Sequence, residues 1–272
     1  MSKISQLNTP LVSVDWLNDN RDTSNLIVLD ATINKVIDAT SIRIPKARFF
    51  DIKKKFSDVK AKFPSTLPSV EQFQTEAQKL GINSDSIIVV YDDKGIYSSA
   101  RAWWLFKVFG FKNVAVLDGG LPEWKHQGFK VENFTDKTYP QGNFEAKYYS
   151  NLMTNFKGVN IYSNASKTLI LDARSEARFK CMVDEPREGL RRGAIPNSKN
   201  LPYTELFNGN IMKPKAELSI IFANLVKDKA QLVFSCGSGI TACILALAAS
   251  ICDYKELVVY DGSWTEYGTL TD

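Results

Sequence analysis

At 272 residues, with 44% hydrophobic and 24% charged residues, the chain has the make-up of a globular protein large enough for two ordinary domains, which excludes extensive disorder. A formal net charge of +4, densest at Lys53, Lys54 and Lys55, is too small and too dispersed to predict nucleic-acid binding. No apolar run reaches the length of a membrane span, and the opening MSKISQLNTP has neither a signal-peptide core nor the arginines of a transit peptide, so an intracellular, reducing setting is expected, cytoplasmic with mitochondria left open.

In chain order, Ile27-Val-Leu-Asp-Ala-Thr32 is an apolar run of strand length closing on Asp-Ala. Ser69 to Leu80 reads as a helix, Ile87-Ile-Val-Val-Tyr91 as a buried strand, Ser98 to Phe109 as a second helix, and Val114-Ala-Val-Leu117 as a strand ending at Asp118-Gly-Gly120. Residues 133–155 are polar, contain Pro140 and Gly142 and lack a sustained period; the linker is placed at 137–155, between domains 1–136 and 156–272. The series then repeats. Leu169-Ile-Leu-Asp-Ala-Arg174 answers the first strand, Gln231-Leu-Val-Phe-Ser235 the second, and Leu257-Val-Val-Tyr-Asp-Gly-Ser263 the third, with a helix over Lys215 to Val226. Trp124 and Tyr267 follow the third strand of each copy at the same distance. Three pairs in one order indicate a duplication. Short buried strands alternating with helices predict, for each copy, a mainly parallel sheet flanked by helices, an α/β fold.

The copies differ at one loop. In the second, Cys236-Gly-Ser-Gly-Ile-Thr241 joins a strand to the alanine-rich segment Thr241 to Cys252, which reads as a buried helix. A cysteine there sits at a strand end facing a helix N-terminus, where backbone N–H groups and the helix dipole favour the thiolate. Gly237 and Gly239 allow the backbone to fold tightly around that anion. The plainer reading is an inert buried thiol beside a turn. Alignment puts Asp92 opposite Cys236, so the first loop lacks a nucleophile and the first domain is expected to be a catalytically inactive scaffold. Cys243 and Cys252 fall in the apolar helix. No metal site is expected, because Cys181, Cys236, Cys243 and Cys252 contain no Cys-x-x-Cys pair and the lone His126 completes no familiar spacing with them.

These residues resemble the two-domain rhodanese-like sulfurtransferases, and within them the 3-mercaptopyruvate sulfurtransferases, over essentially the whole chain. Cys236-Gly-Ser-Gly-Ile-Thr-Ala242 is similar to the Cys-Gly-Ser-Gly-Val-Thr-Ala loop of the mercaptopyruvate enzymes, whereas thiosulfate-using rhodaneses typically carry Cys-Arg-Lys-Gly. Asp172-Ala-Arg-Ser-Glu-Ala-Arg-Phe179, Glu185-Pro-Arg187, Tyr260-Asp-Gly-Ser-Trp264, Phe49-Phe-Asp51 and Arg101-Ala-Trp-Trp104 resemble further family segments. The resemblance implies tandem rhodanese-like domains, Cys236 as the sulfur-carrying nucleophile and Ser238 as the hydroxyl beside it. It also implies Arg178 and Arg187 as the arginines that hold a substrate carboxylate, and Gly237, Gly239, Ile240 and Thr241 as the rest of the binding loop. Guanidinium suits the clamp role because it recognises carboxylate through two parallel hydrogen bonds. Where the family's first domain usually reads His-Ile-Pro-Gly, this chain has Arg43-Ile-Pro-Lys46, so a Cys-Ser-His proton relay would lack its histidine. Arg43 is then either a fixed positive charge near the sulfur or a member of an ordinary surface ion pair.

The implied reaction moves sulfur from 3-mercaptopyruvate through a Cys236 persulfide to cyanide, a small thiol or a thioredoxin-like protein, releasing pyruvate. It calls for no metal, organic cofactor, nucleic acid or membrane. The alternatives are a thiosulfate sulfurtransferase and a noncatalytic sulfur-relay or binding protein. A cysteine phosphatase on the same fold would need Cys-x5-Arg, but Ala242 stands at that position. Arg174, Arg191 and Arg192 read as structural or solvated, and Trp103, Trp104, Phe106 and Trp264 as core. Cys181, three residues beyond Arg178, reads first as a bystander thiol, with sulfur acceptance from Cys236 or a regulatory disulfide with it as the alternatives.

Overall fold

A computed structural model describes residues 3–38, 40–135 and 137–271. The chain forms two compact units, one of residues 1–58, 67–149 and 209–212, the other of residues 59–66, 150–208 and 213–272.

The first unit holds a five-stranded sheet of β1 (Leu11–Val12), β2 (Leu26–Asp30), β3 (Arg48–Phe49), β4 (Ile87–Tyr91) and β5 (Val114–Leu117), all paired in parallel in the order β1-β5-β4-β2-β3. The second holds β6 (Met153–Thr154), β7 (Thr168–Asp172), β8 (Ser198–Asn200), β9 (Gln231–Ser235) and β10 (Leu257–Tyr260), parallel in the order β6-β10-β9-β7-β8. Five added to each label of the first order gives the second, so the duplication extends to topology. Registers agree too: Asp30 lies opposite Tyr91, and Asp172 opposite Ser235. The three apolar runs of each copy form the middle strands. The two-residue edge strands β1, β3 and β6 lie in polar or mixed sequence that gave no period-two signal.

Helices flank both sheets: α1 (Val14–Asn20), α2 (Val70–Lys79), α3 (Ser99–Val108) and α4 (Gly120–His126) in the first unit, then α5 (Phe156–Asn164), α6 (Glu176–Phe179), α7 (Lys215–Val226), α8 (Ala242–Ile251) and α9 (Ser263–Leu270) in the second. The cap at α2 is readable in the sequence. Ser69 stands just before it, and its hydroxyl accepts the Gln72 N–H. The α8 sequence is apolar on every side, and its residues from Ala242 to Ala249 are all buried. Trp103, Trp104, Phe106 and Trp264 are core. In the first unit Val28, Ile87, Val89, Ala115 and Trp124 share one cluster; in the second, Val159, Ile170, Val233, Val258 and Trp264 share another.

The segment assigned to a linker is not a free connection. Gly142 N–H donates to Gln78 O (2.9 Å), Phe144 N–H to Ile82 O (3.1 Å) and Tyr149 N–H to Val108 O (2.8 Å), so residues 137–149 lie along the first unit. Phe144 is buried there, edge-on to Phe73 and Phe111. These backbone bonds and the buried Phe144 ring together dock a stretch whose polarity suggested solvent.

Asp118 directly follows β5, and burial pushes its carboxyl up to about 6. The folded state then holds its proton where the unfolded chain has released it, so Asp118 weakens folding progressively as pH rises from about 4 to about 6, and fully above that. Asp118→Asn, an uncharged group of the same shape, is expected to raise the melting temperature by a few degrees above pH 7 and to leave it unchanged near pH 4. A gain equal at both pH values in thermal melts would refute this origin.

Candidate active site

Cys236 directly follows β9, and its side chain is buried, with the residue 1% exposed. Gly239, in the left-handed region at φ +75°, turns the loop toward α8. Two strands of contact fix this loop from α9. The Cys236 carbonyl accepts the Trp264 N–H (2.9 Å), and the Gly237 carbonyl accepts both the N–H (2.9 Å) and the hydroxyl (2.6 Å) of Thr265. The Ser263 hydroxyl oxygen accepts N–H bonds from Cys236 and Gly239, each 3.1 Å, and lies 2.9 Å from Tyr260 O and 3.7 Å from the Cys236 sulfur. Its single proton therefore has two acceptors, a carbonyl and the thiol sulfur.

Ser263 is a site residue that the sequence reading passed over. The repeat carried the signal: Ser263 stands opposite Gly120, and both have positive φ, +49° and +54°. At Gly120 a Cβ would meet Gly95 O at 2.3 Å and Asp92 O at 2.5 Å, so the first copy has room only for glycine. The second copy holds a serine in a conformation that costs a non-glycine residue about 1–2 kcal/mol. That strain places a hydroxyl against the nucleophile.

The first copy shows what such a loop holds. Asp92 directly follows β4, is fully buried, and fills its loop with a carboxylate. Oδ2 accepts the N–H groups of Tyr97 (2.8 Å), Ser98 (2.9 Å) and Ser99 (2.8 Å) and the Ser99 hydroxyl (2.7 Å), while Oδ1 accepts the Lys94 N–H (2.9 Å). With Asp92 aligned on Cys236, these donors correspond to the N–H groups of Ser238, Thr241, Ala242 and Cys243; Gly95 and Ile96 match Gly239 and Ile240. The N–H groups of Gly237, Ser238, Ile240 and Thr241 have no backbone acceptor among the described residues. In the first copy the loop is a cradle of donors filled by an aspartate; in the second a cysteine stands at the same position, and the Cys243 N–H is turned to Ile240 O (3.2 Å).

The remaining predicted residues fall into distinct places. Ser238 is half-buried on the loop; Ile240 is buried at 4% exposure, so its side chain belongs to the core and only its backbone faces the cradle. Thr241 immediately precedes α8 and makes no side-chain cap bond. Arg178, on α6, lies beside the loop: a Cβ on Gly237 would be 3.1 Å from its Nη2. Its other partner is Glu185, with Nε–Oε1 3.2 Å and Nη2–Oε2 2.5 Å. Arg187 is exposed, with no ion pair among the described residues. The structure thus places Arg178 beside Gly237 of the Cys236 loop.

Of the other arginines, Arg43 is not in a surface pair. Its guanidinium is buried, bonded to Glu132 and Thr135 and set over the Phe134 ring at 4.8 Å. Arg174 is fully buried, joined to Asp172 and Glu185. Burial works against its charge, but Asp172 and then Glu185 outweigh it and hold the guanidinium pKa above its ordinary value. Arg191 bonds Thr271, and Arg192 pairs with exposed Asp184. No disulfide joins the four cysteines: Cys181 is exposed, Cys243 donates from within α8 to Gly239 O (3.4 Å), and burial raises the Cys252 thiol pKa. His126 is exposed on α4, and no group of three or more His, Cys, Asp or Glu fit to hold a metal occurs among the described residues. No helix among them is long and apolar enough to cross a membrane.

A buried cysteine at the strand end of a glycine-spaced loop, on a duplicated parallel α/β fold, points to a class. Rhodanese-like domains match residues 13–127 and 159–269, and the chain belongs to the two-domain rhodanese-like sulfurtransferases. It is 36% identical to the 3-mercaptopyruvate sulfurtransferase of Escherichia coli K12, over 97% of this chain and 96% of that protein. It is 37% identical to the mitochondrial thiosulfate/3-mercaptopyruvate sulfurtransferase 1 of Arabidopsis thaliana, over 97% of this chain and 77% of that one. The crystal structure of the Escherichia coli 3-mercaptopyruvate enzyme SseA superposes with a TM-score of 0.82 at 34% identity, covering 94% of this chain and 99% of the other.

Proposed function

We propose that the protein moves sulfur from 3-mercaptopyruvate to a thiol, cyanide or thioredoxin-like acceptor through a persulfide on Cys236. The observation that carries this reading is the pairing of Asp92 with Cys236. A persulfide adds one sulfur beyond Sγ and, when ionised, is an anion of about the reach of an aspartate side chain; the equivalent loop already holds an aspartate on four N–H groups and a hydroxyl.

The Cys236 thiolate attacks the sulfur of the donor, the sulfur–sulfur bond forms, and the carbon–sulfur bond breaks with its electron pair on the methylene carbon. The resulting enolate is protonated to pyruvate. The proton is the one the donor thiol carried, so the persulfide is left as an anion and charge balances. Ser238, half-buried beside the nucleophile, or a water relays that proton. An acceptor then attacks the outer sulfur: cyanide leaves as thiocyanate, a thiolate leaves as a new persulfide, and the Cys236 thiolate returns. No metal or organic cofactor enters either step.

Donor choice rests on charge. Thiosulfate is a compact dianion whose charge lies close to the attacked sulfur, and Gly237 and Ser238 offer it no cation. Mercaptopyruvate carries a carboxylate several bonds from its sulfur, within the province of Arg178 beside the loop and of Arg187 on the exposed segment beyond it. A charge-assisted contact contributes roughly 1.5–3 kcal/mol. Arg187→Ala is therefore expected to lower kcat/KM for mercaptopyruvate by roughly ten- to a hundredfold, and thiosulfate turnover less. The Arabidopsis relative is named for both donors, which keeps thiosulfate as the second reading. Intact-mass measurement after exposure to each donor, with steady-state assays of both, tests the choice: a gain of one sulfur atom's mass with mercaptopyruvate is the expected result. Preference for thiosulfate would replace it with the second reading, and no mass gain from either would leave a noncatalytic relay.

A further inference from the structure

We infer that Glu185 is the positioning residue of this site: it holds Arg178 side-on, so that the free end of the guanidinium faces the Cys236 loop. The inference rests on the reading of Arg178 as the cation that meets the donor's carboxylate. Residues 181–184 and 186–189 are all exposed, and Glu185 between them is buried, with a side chain only 1% exposed. A carboxylate turned inward from a surface segment needs partners, and it has two.

The first partner is a fixed post. Asp172, at the end of β7, takes Arg174 through Nε (3.1 and 3.0 Å) and Nη2 (2.7 Å); Arg174 Nη2 also donates to Gly193 O (2.9 Å), and the guanidinium stacks over the Trp264 ring at 4.8 Å. Its remaining nitrogen, Nη1, donates to Glu185 Oε1 (2.8 Å). Arg174 is thereby spent on structure, and what it fixes is the position of Glu185.

The second partner is Arg178, taken along its Nε and Nη2 edge. A guanidinium offers carboxylates two such edges, side-on through Nε and Nη2 and end-on through Nη1 and Nη2. Glu185 occupies the side and leaves the end. That end is the one at the loop: a Cβ built on Gly237 would lie 3.1 Å from Nη2 and 3.9 Å from Nη1. Arg178 keeps a side-chain exposure of 24%, and Nη1 makes no hydrogen bond among the described residues. Asp172 and Glu185 balance Arg174 and Arg178 two for two, so an incoming carboxylate supplies the first unmatched charge. Gly237 then has a second duty, since any side chain there would press on the guanidinium.

Cys236 itself can report the charge beside it through alkylation by iodoacetate, an anion, against neutral iodoacetamide, followed on the Cys236 peptide by mass spectrometry. If Glu185 positions Arg178, Glu185→Gln lets the cation leave the loop, and the iodoacetate-to-iodoacetamide rate ratio falls about fourfold or more, the effect of withdrawing one solvent-screened charge from a few ångström. KM for mercaptopyruvate should rise about tenfold with kcat nearly unchanged. If Glu185 merely neutralises Arg178, removing its charge raises the ratio, which overturns the inference, as does no change. Glu185→Asp keeps the charge and shortens the reach; it must also lower the ratio, and it decides the matter should Glu185→Gln not fold. In an Arg178→Met background, Glu185→Gln should no longer lower the ratio, whereas a general structural role would lower it again. Absence of any reaction with mercaptopyruvate would sink the proposed donor while the alkylation ratio still judged Glu185.

Discussion

Cys236→Ser is expected to abolish sulfur uptake and to lower turnover by more than about a thousandfold, the scale on which enzymes lose a nucleophile. The serine oxygen would sit in the same cradle, but an alcohol is far too weak an acid to be held as an anion at neutral pH, and it does not take up sulfur as a thiolate does. The other thiols cannot stand in. Cys243 lies inside α8 with 0% exposure and donates to Gly239 O; Cys252 is half-buried at the far end of that helix, with burial opposing its ionisation. Cys181 is exposed, and no donor cradle surrounds it among the described residues. Cys181→Ala, Cys243→Ala and Cys252→Ala should therefore each retain the one-sulfur mass gain. Its persistence in Cys236→Ser would overturn the assignment, and peptide mapping after mild oxidation would detect a Cys181–Cys236 link if the exposed thiol takes any part.

The sequence revealed the parts of this molecule that depend on pattern. Three apolar runs, each closing on a polar turn, are a local signal, and their recurrence identified the duplication and the middle strands β2, β4, β5, β7, β9 and β10. The nucleophile loop was legible for the same reason, since a glycine-spaced turn between two buried elements is written in consecutive residues. What stayed hidden depends on side-chain contacts that no local period announces. Glu185 looks like a surface residue beside a proline, and only the fold brings it to Arg174 and Arg178. Arg43 reads as a surface charge until Glu132 and Thr135, some ninety positions on, enclose it. Ser263 lies between these cases. Its place opposite Gly120 was visible, but the meaning of a serine where its twin is glycine needed the positive φ and the bonds to Cys236 and Gly239. The docking of 137–149 leaves no period in the sequence, because scattered backbone hydrogen bonds and one phenylalanine fasten it.

Asp92→Ala should cost stability and spare chemistry. The Asp92 carboxylate accepts five hydrogen bonds in a fully buried loop, four from backbone N–H groups that cannot turn elsewhere and one from the Ser99 hydroxyl. Alanine removes the acceptor and leaves the donors. A buried donor without a partner costs about 1–3 kcal/mol, and water entering the vacated space recovers part of the sum, so a net loss of roughly 3–6 kcal/mol is expected. That is a large share of the roughly 5–15 kcal/mol that holds a typical domain together. Asp92→Asn retains one acceptor oxygen but turns an amine toward donors, and should fall between. The two units need not unfold together, so the loss is best read from an early first-unit transition in urea, followed by proteolysis of peptides from α3 and β4, with second-unit peptides protected. Below that transition, turnover per folded molecule should match the parent protein, because in this reading the aspartate is structural and the sulfur travels only on Cys236. A variant that melts normally yet loses turnover would show the first-unit loop to be part of the chemistry.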